Sequence, residues 1–161
     1  MRSLKENKLD KRLITGNEAL ALGALRAGVK VVTGYPGTPS TGALESLLTM
    51  ELPGRHVEWS TNEKVALEVA TGASWAGHRA LCTMKMSGVN VALDTLVSVA
   101  YSGCEGGFVI YVADDPGTSA AGMRSSRNVL SRVARTYSLT AHSSQSGMSL
   151  ELSLVMHATA P

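Results

Sequence analysis

Short apolar runs and longer helical patterns alternate along this chain. Residues 29–33, 56–59, 79–84 and 108–113 are strand-sized runs, the first and last rich in β-branched residues. Between them, residues 18–27, 40–50, 62–76 and 89–101 carry Leu, Val and Ala at helical spacing. Asn17 stands where an N-cap belongs, with Glu18 at the positive end of the helix it would start. Gly28 and Gly77 stand just past two helix ends, as C-terminal glycines do. Strands separated by helices and Gly-rich turns predict an α/β fold: three αβα layers around a mostly parallel sheet. Such sheets bind ligands beyond the carboxyl ends of their strands.

The pattern fails at both ends. Residues 1–12 are a charged lead-in without the apolar stretch of an export signal. Residues 124–161 hold nine Ser, four Arg and one acid, Glu151; Ser149–Met156 could be a short strand or helix, but no clean period emerges, and the segment reads as loop or poorly ordered chain. This gives a division into 1–12, a domain at 13–123, and a basic Ser-rich tail at 124–161. Of 15 Lys+Arg and 13 acids, 11 and 12 fall before residue 124, so the body carries −1 and the tail +3.

Composition removes several classes of function. A net charge of +2 argues for neither nucleic acid nor an anionic membrane. The longest apolar run is too short to span a bilayer, and reduced cytoplasm is the default compartment. Two cysteines, Cys82 and Cys104, build neither a disulfide scaffold nor an iron–sulfur or four-Cys zinc site, and read as small core residues. With 44% hydrophobic but only 4% aromatic residues, the core must be Ala, Val and Leu packed closely around Gly.

Four strand-to-helix turns carry candidate chemistry. Gly34-Tyr35-Pro36-Gly37-Thr38-Pro39-Ser40 either caps a helix through Thr38 or presents Thr38 and free backbone N–H groups to a polar ligand. It matches neither the phosphate-binding P-loop nor the dinucleotide glycine pattern. In Glu58-Trp59-Ser60-Thr61-Asn62-Glu63, Ser60 and Glu63 have capping-box spacing. Equally, Glu63 is a carboxyl at the start of a strongly apolar helix, a setting that raises a pKa and suits proton exchange with a ligand nitrogen. Met84-Lys85-Met86-Ser87-Gly88-Val89-Asn90 is either a polar turn with Lys85 in solvent or a loop that covers a planar ligand. In Asp114-Asp115-Pro116-Gly117 the paired Asp can bind a metal, but the run is also ordinary turn chemistry, and without further ligands no metal site is assigned. His56, His78, His142 and His157 have no paired spacing and read as non-catalytic.

Taken in register, these motifs resemble the amino-terminal domain of the alpha subunits of indolepyruvate:ferredoxin oxidoreductases. These belong to the thiamine-diphosphate-dependent 2-oxoacid:ferredoxin oxidoreductase family. The resemblance covers about residues 12–123. It rests on Asn17-Glu18-Ala19, the 34–40 turn, residues 57–66, Met84-Lys85-Met86 and residues 113–117.

The resemblance implies a pyrimidine-binding domain. It implies that Glu63 is the catalytic carboxylate that hydrogen-bonds the aminopyrimidine of thiamine diphosphate, with Gly72 as the helix glycine nine residues on. That contact favours the imino tautomer, whose nitrogen can take the proton from the thiazolium carbon. The resemblance further implies cofactor contacts at Gly37, Thr38, Met86, Ser87 and Asn90, and a substrate carboxylate at Thr38. The reaction implied is oxidative decarboxylation of an indolepyruvate-like 2-oxo acid to its coenzyme A thioester.

The implied partners are a diphosphate-binding domain or subunit holding Mg2+, iron–sulfur clusters elsewhere in an oligomeric complex, and ferredoxin as acceptor. This sequence contains no Gly-Asp-Gly stretch of a diphosphate domain and no Cys-rich region. The expectation is therefore a partial subunit, with a tail that marks a truncated or frame-shifted product. The competing expectation is a non-catalytic α/β binding or assembly module.

Overall fold

Gly34, Trp59 and Lys85 each end a parallel strand and lead through a short turn into a helix. The computed structural model describes residues 13–50 and 52–114 in full, and residues 140–146 and 149–156 as strand backbone. In chain order the elements are α1 (Gly16–Arg26), β1 (Val31–Gly34), α2 (Thr41–Leu48), β2 (His56–Trp59), α3 (Glu63–Trp75) and β3 (Ala80–Lys85). They continue with α4 (Gly88–Val91), α5 (Leu93–Ser102), β4 (Phe108–Asp114), β5 (Thr140–Ser146) and β6 (Ser149–Met156). Among the described residues no helix is long and apolar enough to cross a membrane.

The sheet runs β2-β1-β3-β4-β6-β5. The first four strands are parallel, with Val32 level with Val57 on one side and Leu81 on the other. β4 pairs antiparallel with β6, and β6 antiparallel with β5. The chain steps from β1 outward to β2 through α2, then back across β1 to β3 through α3. With right-handed crossovers, that reversal puts α2 and α3 on opposite faces of the sheet. The two cores follow. Val32, Leu44, Leu47, Leu81 and Tyr111 pack with Ala21 of α1 and Ala43 of α2 on one face. Leu67, Cys82, Met84, Ile110 and Val112 pack with Ala70 of α3 and Leu96 of α5 on the other. Each fully buried Leu or Ile side chain stabilises the fold by about 1.5–3 kcal/mol. The expected three-layer α/β architecture is thus present.

Three local expectations change. α1 is capped by Thr15, not Asn17: Thr15 and Glu18 form a reciprocal capping box. Asn17 is drawn instead into tertiary contact. Its amide donates to the Pro39 carbonyl at 3.1 Å, and its oxygen accepts from the Tyr111 hydroxyl at 3.3 Å. The 89–101 helix is two helices, α4 and α5, meeting at Ala92. Residues 140–146 and 149–156, expected as loop, are strands that extend the sheet. Of the two possibilities at Ser149–Met156 the strand is realised, in keeping with Leu150, Leu152 and Leu154 alternating with Ser149, Glu151 and Ser153.

Candidate functional site at the carboxyl ends of β1 and β3

The loops leaving β1 and β3 run to opposite faces of the sheet, which opens a crevice between their carboxyl ends. Two contacts border it. On the α2 face, the 34–40 loop rides on the stem of Lys85: a Cβ on Gly37 would stand 2.7 Å from Lys85 Cβ. Only a glycine fits there without moving the loop. On the α3 face, the side chain of Glu63 lies on Gly88, where a Cβ would stand 2.5 Å from Glu63 Cγ and 2.6 Å from Oε1. The segment 85–88 therefore runs from one contact to the other.

Glu63 is the first residue of α3, and Asn62 is the cap: its side-chain oxygen accepts from the Val65 N–H at 2.9 Å. The Ser60–Glu63 capping box does not form, because the Ser60 hydroxyl donates to Glu58 Oε1 at 3.1 Å. The Glu63 carboxylate is half-buried and makes no hydrogen bond or ion pair among the described residues. It sits at the positive end of α3, which favours negative charge. Cys82 in β3 feels it. Burial pushes that thiol up to about 12, Thr33 pulls it down by hydrogen bonding, and the Glu63 charge pushes it up again.

The 34–40 loop is held from inside. The Ser40 hydroxyl donates to the Gly37 carbonyl at 2.6 Å, and the Gly37 N–H donates to the Thr41 hydroxyl at 2.9 Å. Ser40 is the cap of α2 and Thr41 its first residue, so the expected cap at Thr38 is not made. The Thr38–Pro39 peptide is cis. Thr38 is exposed, and its hydroxyl has no partner among the described residues.

The remaining sequence-predicted residues divide. Ser87 and Asn90 are exposed beside Gly88. Met86 is 1% exposed and sits in the core with Ala66 and Val89, its N–H extending β3 by donating to the Ala113 carbonyl at 2.9 Å. Lys85 is half-buried and partnered, not a solvent lysine. Asp114 is fully buried, while Asp115 lies outside the described residues. Gly72 is exposed in mid-α3. His56 does have a partner, Glu58 Oε2 at 2.9 Å, because alternate residues of β2 share one face. Spacing could have suggested that pair. The contacts of Gly37 and Gly88 required the fold.

No protein-family model matches the chain. It is 51% identical over 124 residues to indolepyruvate oxidoreductase subunit IorA of Archaeoglobus fulgidus, covering 74% of this chain and 19% of that protein. With the IorA subunit of Pyrococcus horikoshii it shares 46% over 108 residues, 66% of this chain and 17% of the relative. With 2-oxoglutarate synthase subunit KorA of Methanocaldococcus jannaschii it shares 34% over 83 residues, 50% of this chain and 22% of the relative. Its structure resembles a chain of the 2-oxoglutarate:ferredoxin oxidoreductase of Magnetococcus marinus, solved with 2-oxoglutarate, coenzyme A and succinyl-CoA bound. The TM-score is 0.59 and the identity 25%, over 66% of this chain and 18% of that one. The chain spans about a fifth of the length of the curated IorA relatives it matches.

Proposed function

This chain is related, over about two thirds of its length or more, to the subunits of 2-oxoacid:ferredoxin oxidoreductases, and from that premise we propose that it supplies the pyrimidine-binding side of a thiamine-diphosphate site. The observation that carries the reading is the Glu63 carboxylate: unpaired among the described residues, laid on Gly88, and at the start of α3.

Those residues fit an aminopyrimidine. Glu63 offers an acceptor to a ring N–H and can hold or return that proton. The cradle at Gly88 leaves no side chain between the carboxylate and the strand end. The exposed Ser87 and Asn90 offer further polar groups at the same edge, and Gly37 and Thr38 border its other side. Met86 supports this edge from below, as packing under the loop. When bound, thiamine diphosphate supplies the carbon nucleophile that attacks a 2-oxo acid. The chain's own part is to fix the ring and to move a proton at Glu63, with α3 holding the carboxylate in place.

The whole reaction we infer is oxidative decarboxylation of an aryl 2-oxo acid such as indolepyruvate to its coenzyme A thioester. It needs a diphosphate domain with Mg2+, iron–sulfur clusters and ferredoxin, which other parts of the assembly bring. The two buried free thiols suit a reducing cytoplasm.

Calorimetry tests the reading. Thiamine diphosphate with Mg2+ is titrated into the chain alone, and into the chain assembled with a subunit carrying the diphosphate domain. Binding in the assembly that is lost with Glu63→Ala supports it. Equal binding by wild type and Glu63→Ala assemblies rejects it.

A further inference from the structure

Asn17 stands in the first turn of α1, but Thr15 and Glu18 cap that helix. Its amide joins two other parts of the fold instead. Nδ2 donates to the Pro39 carbonyl at 3.1 Å, and Oδ1 accepts from the Tyr111 hydroxyl at 3.3 Å. The partners fix which way the amide faces. A peptide carbonyl only accepts, so the NH2 group must face Pro39, which leaves the oxygen for the phenol.

The two ends of this chain of contacts are far apart in sequence. Tyr111 is 2% exposed and lies in the core on the α1–α2 side of the sheet, with Leu44 and Leu81. It is level with Thr83 of β3, and Thr83 is level with Gly34, the last residue of β1. Pro39 belongs to the loop that leaves Gly34, and it directly follows Thr38. Between the two ends, the Asn17 side chain lies on Gly42 in the first turn of α2. A Cβ on Gly42 would stand 2.9 Å from Nδ2 and 3.5 Å from Asn17 Cβ. The amide thus sits where α1 and α2 touch, and it links β4, two strands away from β1, to the loop.

The bonds inside the loop set its shape. The Ser40 hydroxyl and N–H both donate to the Gly37 carbonyl, at 2.6 and 2.8 Å, and the Gly37 N–H donates to the Thr41 hydroxyl at 2.9 Å. All three lie within residues 37–41, so they would travel with the turn if it moved. The Pro39 contact differs, because it runs out of the turn to α1 and from there to a buried strand. An aromatic ring packs in a core without a hydroxyl, so the phenol adds direction to the contact and not only apolar area. A residue that meets a ligand is held in place by such supporting bonds behind it.

We propose that Tyr111 and Asn17 form a strut that sets the position of Thr38 for the carboxylate of the 2-oxo acid. Both are positioning residues. They act through the Pro39 carbonyl. The strut stands on the fold alone, while the ligand at Thr38 rests on the thiamine-diphosphate reading above.

Two variants separate this role from simple support of a buried phenol. Asn17→Asp keeps an acceptor for Tyr111 and places negative charge in the first turn of α1, where the helix favours it. Its urea unfolding midpoint should match wild type. It cannot donate to the Pro39 carbonyl and sets a second acceptor against it. Tyr111→Phe keeps the ring and removes the donor to Asn17. Hydrogen–deuterium exchange of the full chain reads the loop: amides of residues 37–41 should exchange about tenfold faster in Asn17→Asp, and less so in Tyr111→Phe, as for loss of one hydrogen bond. Amides of α3 should be unchanged. In the assembly with the diphosphate-domain partner, Asn17→Asp should raise KM for phenylpyruvate about three- to tenfold, with kcat within a factor of two.

Wild-type exchange across 37–41 in folded Asn17→Asp overturns the strut, since support of Tyr111 is then all that Asn17 does. A wild-type KM in an active Asn17→Asp assembly overturns its role toward substrate. A wild-type assembly that binds no thiamine diphosphate and turns nothing over rejects the parent reading. Exchange in the two variants then still decides whether Tyr111 and Asn17 hold the loop.

Discussion

The side chain of Glu63 rests directly on Gly88, with Glu63 Cγ 2.5 Å from the position a Cβ on Gly88 would take. Two elements separated in sequence, α3 and α4, therefore meet through one carboxylate and one missing methyl group. Gly88→Ala should displace Glu63 rather than unfold the chain. The obstructed atoms belong to a flexible side chain, and alanine is the better helix former by about 1 kcal/mol. We expect unfolding free energy within about 1 kcal/mol of wild type. Thiamine-diphosphate affinity in the assembled enzyme should fall by about 10- to 100-fold, as for loss of one charged hydrogen bond. Calorimetry beside urea denaturation measures both. Unimpaired affinity would mean that the position of Glu63 on Gly88 is unimportant.

Glu63→Gln separates the chemistry of the carboxylate from its geometry. Helix α3 is capped by Asn62, so the amide should fold and pack as the acid does, with stability within about 0.5 kcal/mol. A glutamine cannot exchange the proton that the carboxylate can. Turnover of 2-oxo acid in the assembled complex should fall about 10²- to 10⁴-fold, the usual worth of positioned acid–base catalysis. Equal turnover would remove Glu63 from the proton path.

The parallel sheet and its helices were legible because the apolar blocks alternate between strand and helix periods, and because Gly28 and Gly77 do take positive φ just past helix ends. Capping was less legible. Thr15, Asn17, Ser60 and Asn62 are all good cap residues, and local pattern alone does not choose between neighbours. Tertiary contact chose: the 34–40 loop and Tyr111 claimed Asn17, and Glu58 claimed Ser60. Glu63, Gly37 and Thr38 could be named from motif positions. The contacts of Gly37 with Lys85 and of Gly88 with Glu63 could not. They depend on the strand register, which brings Gly34 level with Thr83, and on α3 crossing to the opposite face. Strand β6 was legible in its Leu alternation, but the Ser-rich composition around it hid the period.

The cap of α3 is open to a direct comparison. Asn62→Ala removes the 2.9 Å bond to the Val65 N–H and should cost about 1 kcal/mol of stability. Ser60→Ala removes only a part-buried hydroxyl contact to Glu58 and should stay within about 0.5 kcal/mol. Urea unfolding midpoints of the two variants decide the matter. A larger loss for Ser60→Ala would reinstate the capping box that its spacing with Glu63 suggests.

Cys82 predicts a pH dependence whose sign is fixed by its burial. The thiol is fully buried, and desolvation pushes it from its ordinary 9.0 up to about 12, with Thr33 opposing and Glu63 reinforcing the shift. In the unfolded chain it ionises near 9.0, while in the folded chain it keeps its proton. Between those two values the unfolded state binds fewer protons. Stability is therefore fully present below pH 9 and declines toward pH 12, by up to about 1.4 kcal/mol per pH unit from this group. Cys82→Ala should lower stability at pH 8, where the wild-type thiol is protonated in both states, since it leaves a small cavity beneath α3. The loss relative to wild type should shrink from pH 8 to pH 10.5, because the variant lacks this titration. Urea denaturation of both proteins at the two pH values measures it. A constant difference would mean that Cys82 ionises normally in the folded chain. The same burial predicts that Cys82 reacts with a thiol reagent at pH 8 only after denaturant is added.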